Sequence, residues 1–371
     1  MKMYKIGAIL LLITVFLSCN NTEATKKENK STTEKKTSFD FGVWITAKKG
    51  KTNEAYEKEF KKYKEGGLDE VLINTLTDPK ELQRLVPIAK KAGLRVHAWI
   101  MTMNRPGDSI ALKHPEWYAV NKEGKSCFDS RPYVDYYQWL CPTNKESRNH
   151  ILGLVEGLAK VEGIESVHLD YIRYSDIFLP IGLLPKYNLK QETEMPEFDY
   201  CYCDACVSKF EEIHHKNPRE SKNPAIDMEW KNFRLNAVKA IVDDAYKIVK
   251  KHNKKLTAAV FPYPEMADHM VRQRWDKWNI DEVYPMIYHG FYNEEIDWIA
   301  YATKQGVEDL KGRNVGLNTA IYIPPFKSAE ELTEAMNYAK NNGAKGVAFY
   351  EGNNLTKEYL LAIKNFKMNL E

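Results

Sequence analysis

One carboxylate, Asp170, stands in a run whose residue types suit sugar chemistry: Glu165-Ser166-Val167-His168-Leu169-Asp170-Tyr171-Ile172-Arg173-Tyr174. Val167, Leu169 and Ile172 fit a buried parallel strand, while His168 and Asp170 share one face by the two-residue period and Arg173 and Tyr174 follow at the tip. Hydrolysis of a glycosidic bond generally takes two carboxyl groups, one to protonate the leaving oxygen and one to attack the anomeric carbon or activate water. Asp170 is the expected nucleophile or base, with Arg173 placed to help keep it ionised. Glu265, held between strand and helix in Phe261-Pro262-Tyr263-Pro264-Glu265, ranks first as the second carboxyl, and Glu351 ranks a close second. Asp281 opens a strand rather than closing one and is excluded. The plainer alternatives are a turn-capping Asp170, a core His168, and glutamates that serve only as helix N-terminal or loop acids.

These groups need elements to position them. Strand-like apolar runs fall at residues 41–46, 68–76, 94–103, 165–174, 255–262, 282–289, 314–323 and 344–350. Helical spacing falls at 53–65, 79–92, 145–160, 228–252, 294–306, 328–342 and 356–368. In 79–92, Leu82, Leu85, Ile88 and Ala89 make one apolar stripe ahead of Gly93. The alternation of strand and helix predicts an α/β fold, a (β/α)₈ TIM barrel with enlarged loops after strands three and four. An open doubly wound sheet is the competitor, and no Gly-rich phosphate turn supports it.

A barrel of this kind does its chemistry at the C-terminal ends of its strands. Those ends carry Trp44 and Thr46, Asn74, Trp99 with Asn104, Asp170 with Arg173 and Tyr174, Tyr263 with Glu265, Tyr288 with His289, Asn318 with Tyr322, and Tyr350 with Glu351. His97 shares the face of Trp99, as His168 shares that of Asp170. Aromatic platforms beside amides, imidazoles and carboxylates suit the C–H faces and hydroxyls of sugars, so these residues are the expected substrate contacts. The stretch 266–278, with Trp275 and Trp278, reads as helical and packed beside the site.

The 371-residue chain is 43% hydrophobic and 12% aromatic, enough for a large core. Its formal charge of +3 is spread without a basic patch, which argues against a nucleic-acid partner. Residues 1–18 hold Lys2 and Lys5, then an apolar run over 6–17 that is too short for a permanent span and fits an export signal. Leu17-Ser18-Cys19 resembles a bacterial lipoprotein signal, with Cys19 as the lipidated first mature residue. Residues 19–38 lack large apolar side chains and read as a solvated tether, so the folded domain spans 39–371. The expected address is the cell envelope, lipid-anchored, with Asn20 compatible with sorting to the outer membrane.

Cys201, Cys203 and Cys206 lie in Cys-Tyr-Cys-Asp-Ala-Cys ahead of a helix that ends in His214-His215. Two readings stay open. The three thiolates, with a histidine or a more distant cysteine, hold a structural Zn²⁺; or Cys127 bridges Cys141 while two of the cluster pair as a disulfide. Neither makes the cysteines catalytic, and no cofactor is expected.

Val167-His168-Leu169-Asp170-Tyr171-Ile172-Arg173-Tyr174, Cys201-Tyr202-Cys203-Asp204-Ala205-Cys206 and Tyr284-Pro285-Met286-Ile287-Tyr288-His289 resemble the glycoside-hydrolase-like family ten, bacterial exported or lipoprotein TIM barrels. The resemblance covers essentially residue 39 to the C-terminus. It implies glycosidase activity on cell-wall or other polysaccharides, with Asp170 at a family acidic position on strand four. Tyr171 stands where relatives often carry a second acid, so the resemblance supplies no partner carboxylate. The expectation is a glycoside hydrolase acting on a poly- or oligosaccharide. The alternatives are a non-catalytic carbohydrate-binding lipoprotein on the same scaffold and an envelope-assembly protein.

Overall fold

A computed structural model describes residues 39–370. The export signal, the tether and Cys19 lie outside the described residues. Eight strands pair in chain order, all parallel: β1 (Asp40–Thr46), β2 (Glu70–Asn74), β3 (Arg95–Met101), β4 (Ser166–Asp170), β5 (Lys255–Val260), β6 (Glu282–Pro285), β7 (Gly316–Tyr322) and β8 (Gly346–Tyr350). β8 returns to β1, with Asp40 beside Gly346 and Val43 beside Phe349, so the sheet closes into a barrel. The helices are α1 (Asn53–Glu65), α2 (Pro79–Lys91), α3 (Lys145–Ala159), α4 (Asp204–His214), α5 (Met228–Lys251), α6 (Pro264–Val271), α7 (Trp298–Asp309), α8 (Ala329–Asn341) and α9 (Lys357–Met368). This is the TIM barrel that the alternation predicts. None of the described helices is long and apolar enough to cross a membrane.

The outward residues of the strands, among them Val43, Val71, Ile73, Val96, Ile100, Val167, Leu169 and Val260, are buried against the helices in one continuous apolar layer. Each such side chain contributes roughly 1.5–3 kcal/mol when fully buried, which is why the strands read as apolar runs. Helix starts follow local chemistry: Asp78 accepts from the Lys80 N–H ahead of Pro79, Asn144 from Ser147, Ser328 from Glu331 and Thr356 from Tyr359.

Several boundaries differ from the sequence reading. The strands are shorter, because pairing stops where the chain must turn toward the loops. The expected helix over 266–278 ends at Val271, where Arg272 takes a left-handed φ of 52°. A short 3₁₀ turn follows at Trp275–Lys277, and Trp275 and Trp278 are wholly buried core anchors.

The inward residues form a polar column. Trp44 Nε1 donates to His168 Nε2 (3.3 Å), His168 Nδ1 pairs with Thr257 Oγ1 (2.8 Å), and Thr257 with Ser166 Oγ (3.2 Å). Ser166 Oγ then meets His97 Nδ1 (2.7 Å), and His97 Nε2 meets Glu70 Oε2 (3.1 Å). Because an indole can only donate, His168 must accept at Nε2 and carry its proton on Nδ1. Read onward from there, every donor in the column finds an acceptor, ending on Glu70. Burial alone pushes the Glu70 carboxyl up, but its contacts with His97 and Arg95 outweigh that and hold it well below the usual range. Tyr284 also donates to Glu70 (3.0 Å). Gly42 makes room for this carboxylate, since a β-carbon there would stand 3.0 Å from Glu70 Oε1.

Two long excursions, residues 102–144 after β3 and 171–203 after β4, lie over the C-terminal mouth. They pair with each other: Asn121 bridges Tyr200, and the Tyr202 N–H donates to Val120 O (2.7 Å). The second is bolted to α5 by Arg234, a fully buried guanidinium paired with Asp199 and donating to Tyr200 O (3.0 Å).

The Cys127–Cys141 bridge of the disulfide reading is absent. All five described cysteines are free buried thiols, and Cys141 gathers with Cys201, Cys203 and Cys206, whereas Cys127 lies apart. The chain brings Cys141 in just ahead of α3 and delivers the other three into the start of α4, a meeting that spacing alone could not foretell.

Candidate active site

β4 ends on Asp170, at the floor of a cavity of about 280 Å³ over the barrel mouth. Trp99, next to it on β3, donates its indole N–H to Asp170 Oδ2 at 3.0 Å. Tyr171 turns into the left-handed region (φ 50°), a conformation that costs a non-glycine residue on the order of 1–3 kcal/mol. That turn folds the Tyr171 N–H back onto Asp170 Oδ1 at 2.7 Å. Burial raises the Asp170 pKa above the usual carboxylate range, and it outweighs both hydrogen bonds and the distant Arg173 charge, which act downward.

The Arg173 charge acts on Asp170 in the expected direction, toward the ionised form, but burial outweighs it. The Arg173 guanidinium is spent on the Tyr174 carbonyl (2.9 Å) and on Asp176 (3.2 Å), and it lies 4.8 Å from the Trp139 ring and 5.0 Å from that of Phe261. Asp176 lines the same cavity as Asp170, and these are the two carboxylates on its walls. The excursions and the strand ends complete the enclosure with aromatic rings. Tyr288 and Tyr350 stack with centroids 6.2 Å apart, Tyr322 and Tyr350 likewise, and Tyr350 meets Trp99 edge-on at 6.3 Å. From the first excursion come Tyr133, Tyr136 and Tyr137, and from the second Leu179, Leu183 and Tyr187. The two are tied where the Tyr133 hydroxyl donates to Asp176 O at 2.8 Å and accepts from Gln191 at 3.0 Å.

Of the residues expected at the site, Asp170, Trp44, Trp99, Arg173, Tyr288 and Tyr350 line this cavity. Glu265 is exposed in the first turn of α6, and Glu351 binds the Asn353 amide at 3.0 Å; neither lines the cavity. His97 and His168 are sealed in the polar column below the floor, so the expectation that they touch sugar is corrected: they support the floor. Burial holds His168 well below its usual pKa, so it is neutral, as its acceptor role toward the Trp44 indole requires. Asn74 and Asn104 are buried beside a separate hollow, where their side-chain oxygens accept from Leu76 N (2.8 Å) and Gln138 N (2.9 Å). Tyr174 points toward the cysteines, Tyr263 packs edge-on against Tyr301 (5.8 Å), and His289 lies against Phe326 (5.1 Å).

Tyr322, named at the end of β7, also lines the cavity, whereas Asp176 and the Tyr133–Tyr137 segment were not among the expected residues. The signals were there in part: Tyr133-Val134-Asp135-Tyr136-Tyr137-Gln138-Trp139 is unusually aromatic for a loop. A larger, open hollow of about 960 Å³ between α8 and α9 lies on the outside of the barrel, away from the strand ends.

A closed parallel barrel with an aromatic, carboxylate-bearing mouth defines a TIM barrel with a built cavity at its C-terminal face. Residues 13–333 match the sequence profile of glycosyl hydrolase-like 10, and the chain belongs to that family. No curated protein matches the chain. Among solved structures, it is similar to the catalytic domain of a β-amylase from Paenibacillus polymyxa, with a TM-score of 0.64 and 10% identity over 90% of this chain and 97% of that one. A β-galactosidase from Marinomonas ef1 gives a TM-score of 0.65 and 11% identity over 90% and 59%. An endo-1,4-β-mannanase from Rhizomucor miehei gives 0.55 and 8% over 90% and 94%. At such identities the likeness is one of fold.

Proposed function

We propose that the protein is a glycoside hydrolase acting on a poly- or oligosaccharide, with Asp170 as its proton-donating carboxyl and Asp176 as the second acid. The observation that carries this reading is Asp170 itself, sunk at a strand end beneath an aromatic cavity with its pKa raised by burial. A carboxyl whose proton is held more tightly than usual suits the general acid more than the nucleophile or base first assigned to it. The proton passes to the leaving glycosidic oxygen, while Asp176, charge-paired with Arg173, attacks the anomeric carbon or takes a proton from water. The tyrosines and Trp99 offer faces for the sugar ring. The family and the barrel support this reading, and the anchor proposed at Cys19 would place it in the cell envelope; fatty-acid labelling of wild type and Cys19→Ala tests that anchor.

The reaction is tested by incubating wild type, Asp170→Asn, Asp176→Asn, Glu265→Gln and Glu351→Gln with a panel of plant, host and peptidoglycan glycans. Asp170→Asn and Asp176→Asn lose at least about 100-fold in rate, while the two glutamate variants keep theirs. Full activity in Asp170→Asn sinks the assignment, and loss in Glu351→Gln or Glu265→Gln transfers the second role to that residue. One observation favours a non-catalytic, sugar-binding reading: among the described residues, the Arg173 pair engages the only other carboxylate lining the cavity. Tight calorimetric binding of a glycan without turnover would decide for it.

A further inference from the structure

We propose that Cys141, Cys201, Cys203 and Cys206 bind a structural Zn²⁺ that clips the excursion after β3 to the excursion after β4. The four Sγ atoms lie within 4.8 Å of one another and all four residues are buried. Cys141 Sγ is 3.4 Å from Cys206 Sγ and 3.3 Å from Cys203 Sγ. A disulfide holds its sulfurs at about 2.05 Å. A tetrahedral zinc with Zn–S near 2.3 Å sets sulfurs about 3.8 Å apart, so the cluster has the size of a ZnS₄ tetrahedron. Four protein thiolates fill the coordination sphere and leave no position for water or substrate, which makes the site structural rather than catalytic.

The surroundings suit bound thiolates. Backbone N–H groups of Thr143 (3.4 Å) and Asn144 (3.3 Å) donate to Cys141 Sγ, and that of Val120 donates to Cys201 Sγ (3.4 Å). Such donors stabilise charge on sulfur, as the outer shell of a metal site does. Independently, the Tyr174 hydroxyl is buried without a hydrogen-bond partner near Cys141, Cys201 and Cys206. His214, weighed as a ligand from sequence, instead stacks on Phe210 at 4.5 Å and is not in the cluster. The site joins chain segments more than sixty residues apart (|i−j| 62 and 65). It thereby fixes the two loops that supply Tyr133, Tyr137, Asp176 and Leu183 to the cavity wall.

The experiment is metal analysis of the mature chain purified without chelator, with thiol counting and thermal melting, for wild type, Cys127→Ser and Cys141→Ser. Wild type and Cys127→Ser are expected to carry one zinc per chain, with four thiols shielded until a chelator and denaturant are added together. Chelation should lower the melting temperature by several degrees. Cys141→Ser should lose the metal; if it does not fold, Co²⁺ exchanged into wild type reads the site directly through intense thiolate-to-cobalt charge transfer and tetrahedral d–d bands. Zinc far below one per chain with thiols consumed in disulfides, a full equivalent retained by Cys141→Ser, or an octahedral cobalt spectrum overturns the proposal. None of these readouts depends on hydrolysis, so they stand or fall apart from the proposed reaction.

Discussion

Trp99 and Tyr171 each give Asp170 a hydrogen bond that favours the carboxylate, yet burial opposes them and wins. The sign of the pH dependence follows. A general acid works only while protonated, so kcat/KM should fall as pH rises through the raised Asp170 pKa, and this alkaline limb should lie above the ordinary carboxylate range. Trp99→Phe removes a donor to the charged form, so the limb should move further up while activity falls less than in Asp170→Asn. A pH–rate profile with its alkaline limb at the ordinary carboxylate value, or one unmoved by Trp99→Phe, would contradict this. Asp170 was legible because strand period and neighbouring residue types marked it. Asp176 was not, because its place on the wall depends on the path of the chain after Tyr171, which no periodicity encodes.

At the scale of elements, the strands were legible because their outward faces are continuously apolar, and the helices because of apolar stripes such as Leu82, Leu85, Ile88 and Ala89 in α2. The inward faces misled. His97 and His168 have the chemistry of sugar contacts, and only the register that stacks them on Ser166 and Thr257 shows that they hold up the floor. That column has a measurable cost of removal. Glu70→Ala would strip partners from His97, Arg95 and Tyr284 at once, and breaking a buried pair this way costs about 3–5 kcal/mol. Denaturant unfolding should show that loss near neutral pH. Because the Glu70 pKa is depressed, its contribution is present above the ordinary glutamate value and fades as pH falls below it toward the folded-state value. The gap between wild type and Glu70→Ala should therefore narrow in acid. An unchanged midpoint would mean that the column is idle.

For the whole molecule, the barrel supplies the floor and two excursions supply much of the wall. The barrel was legible from alternation alone, whereas the wall depends on long-range meetings: Asn121 with Tyr200, Arg234 with Asp199, and Cys141 with the cysteines at and just before the start of α4. Membership of glycosyl hydrolase-like 10 fits such a design, in which a shared scaffold carries loops that define the site. The most direct measurement is a crystal structure of Asp170→Asn with an oligosaccharide bound. The glycosidic oxygen is expected within about 3 Å of the residue-170 side chain, with Asp176 on the other side of the anomeric carbon and a sugar ring against Tyr288, Tyr350 or Trp99. The separation of the two carboxyl positions, about 5 Å or about 6.5–9.5 Å, would then give a retaining or an inverting outcome. A sugar seated elsewhere, or a scissile bond flanked by Glu265 or Glu351 in place of these aspartates, would contradict this expectation.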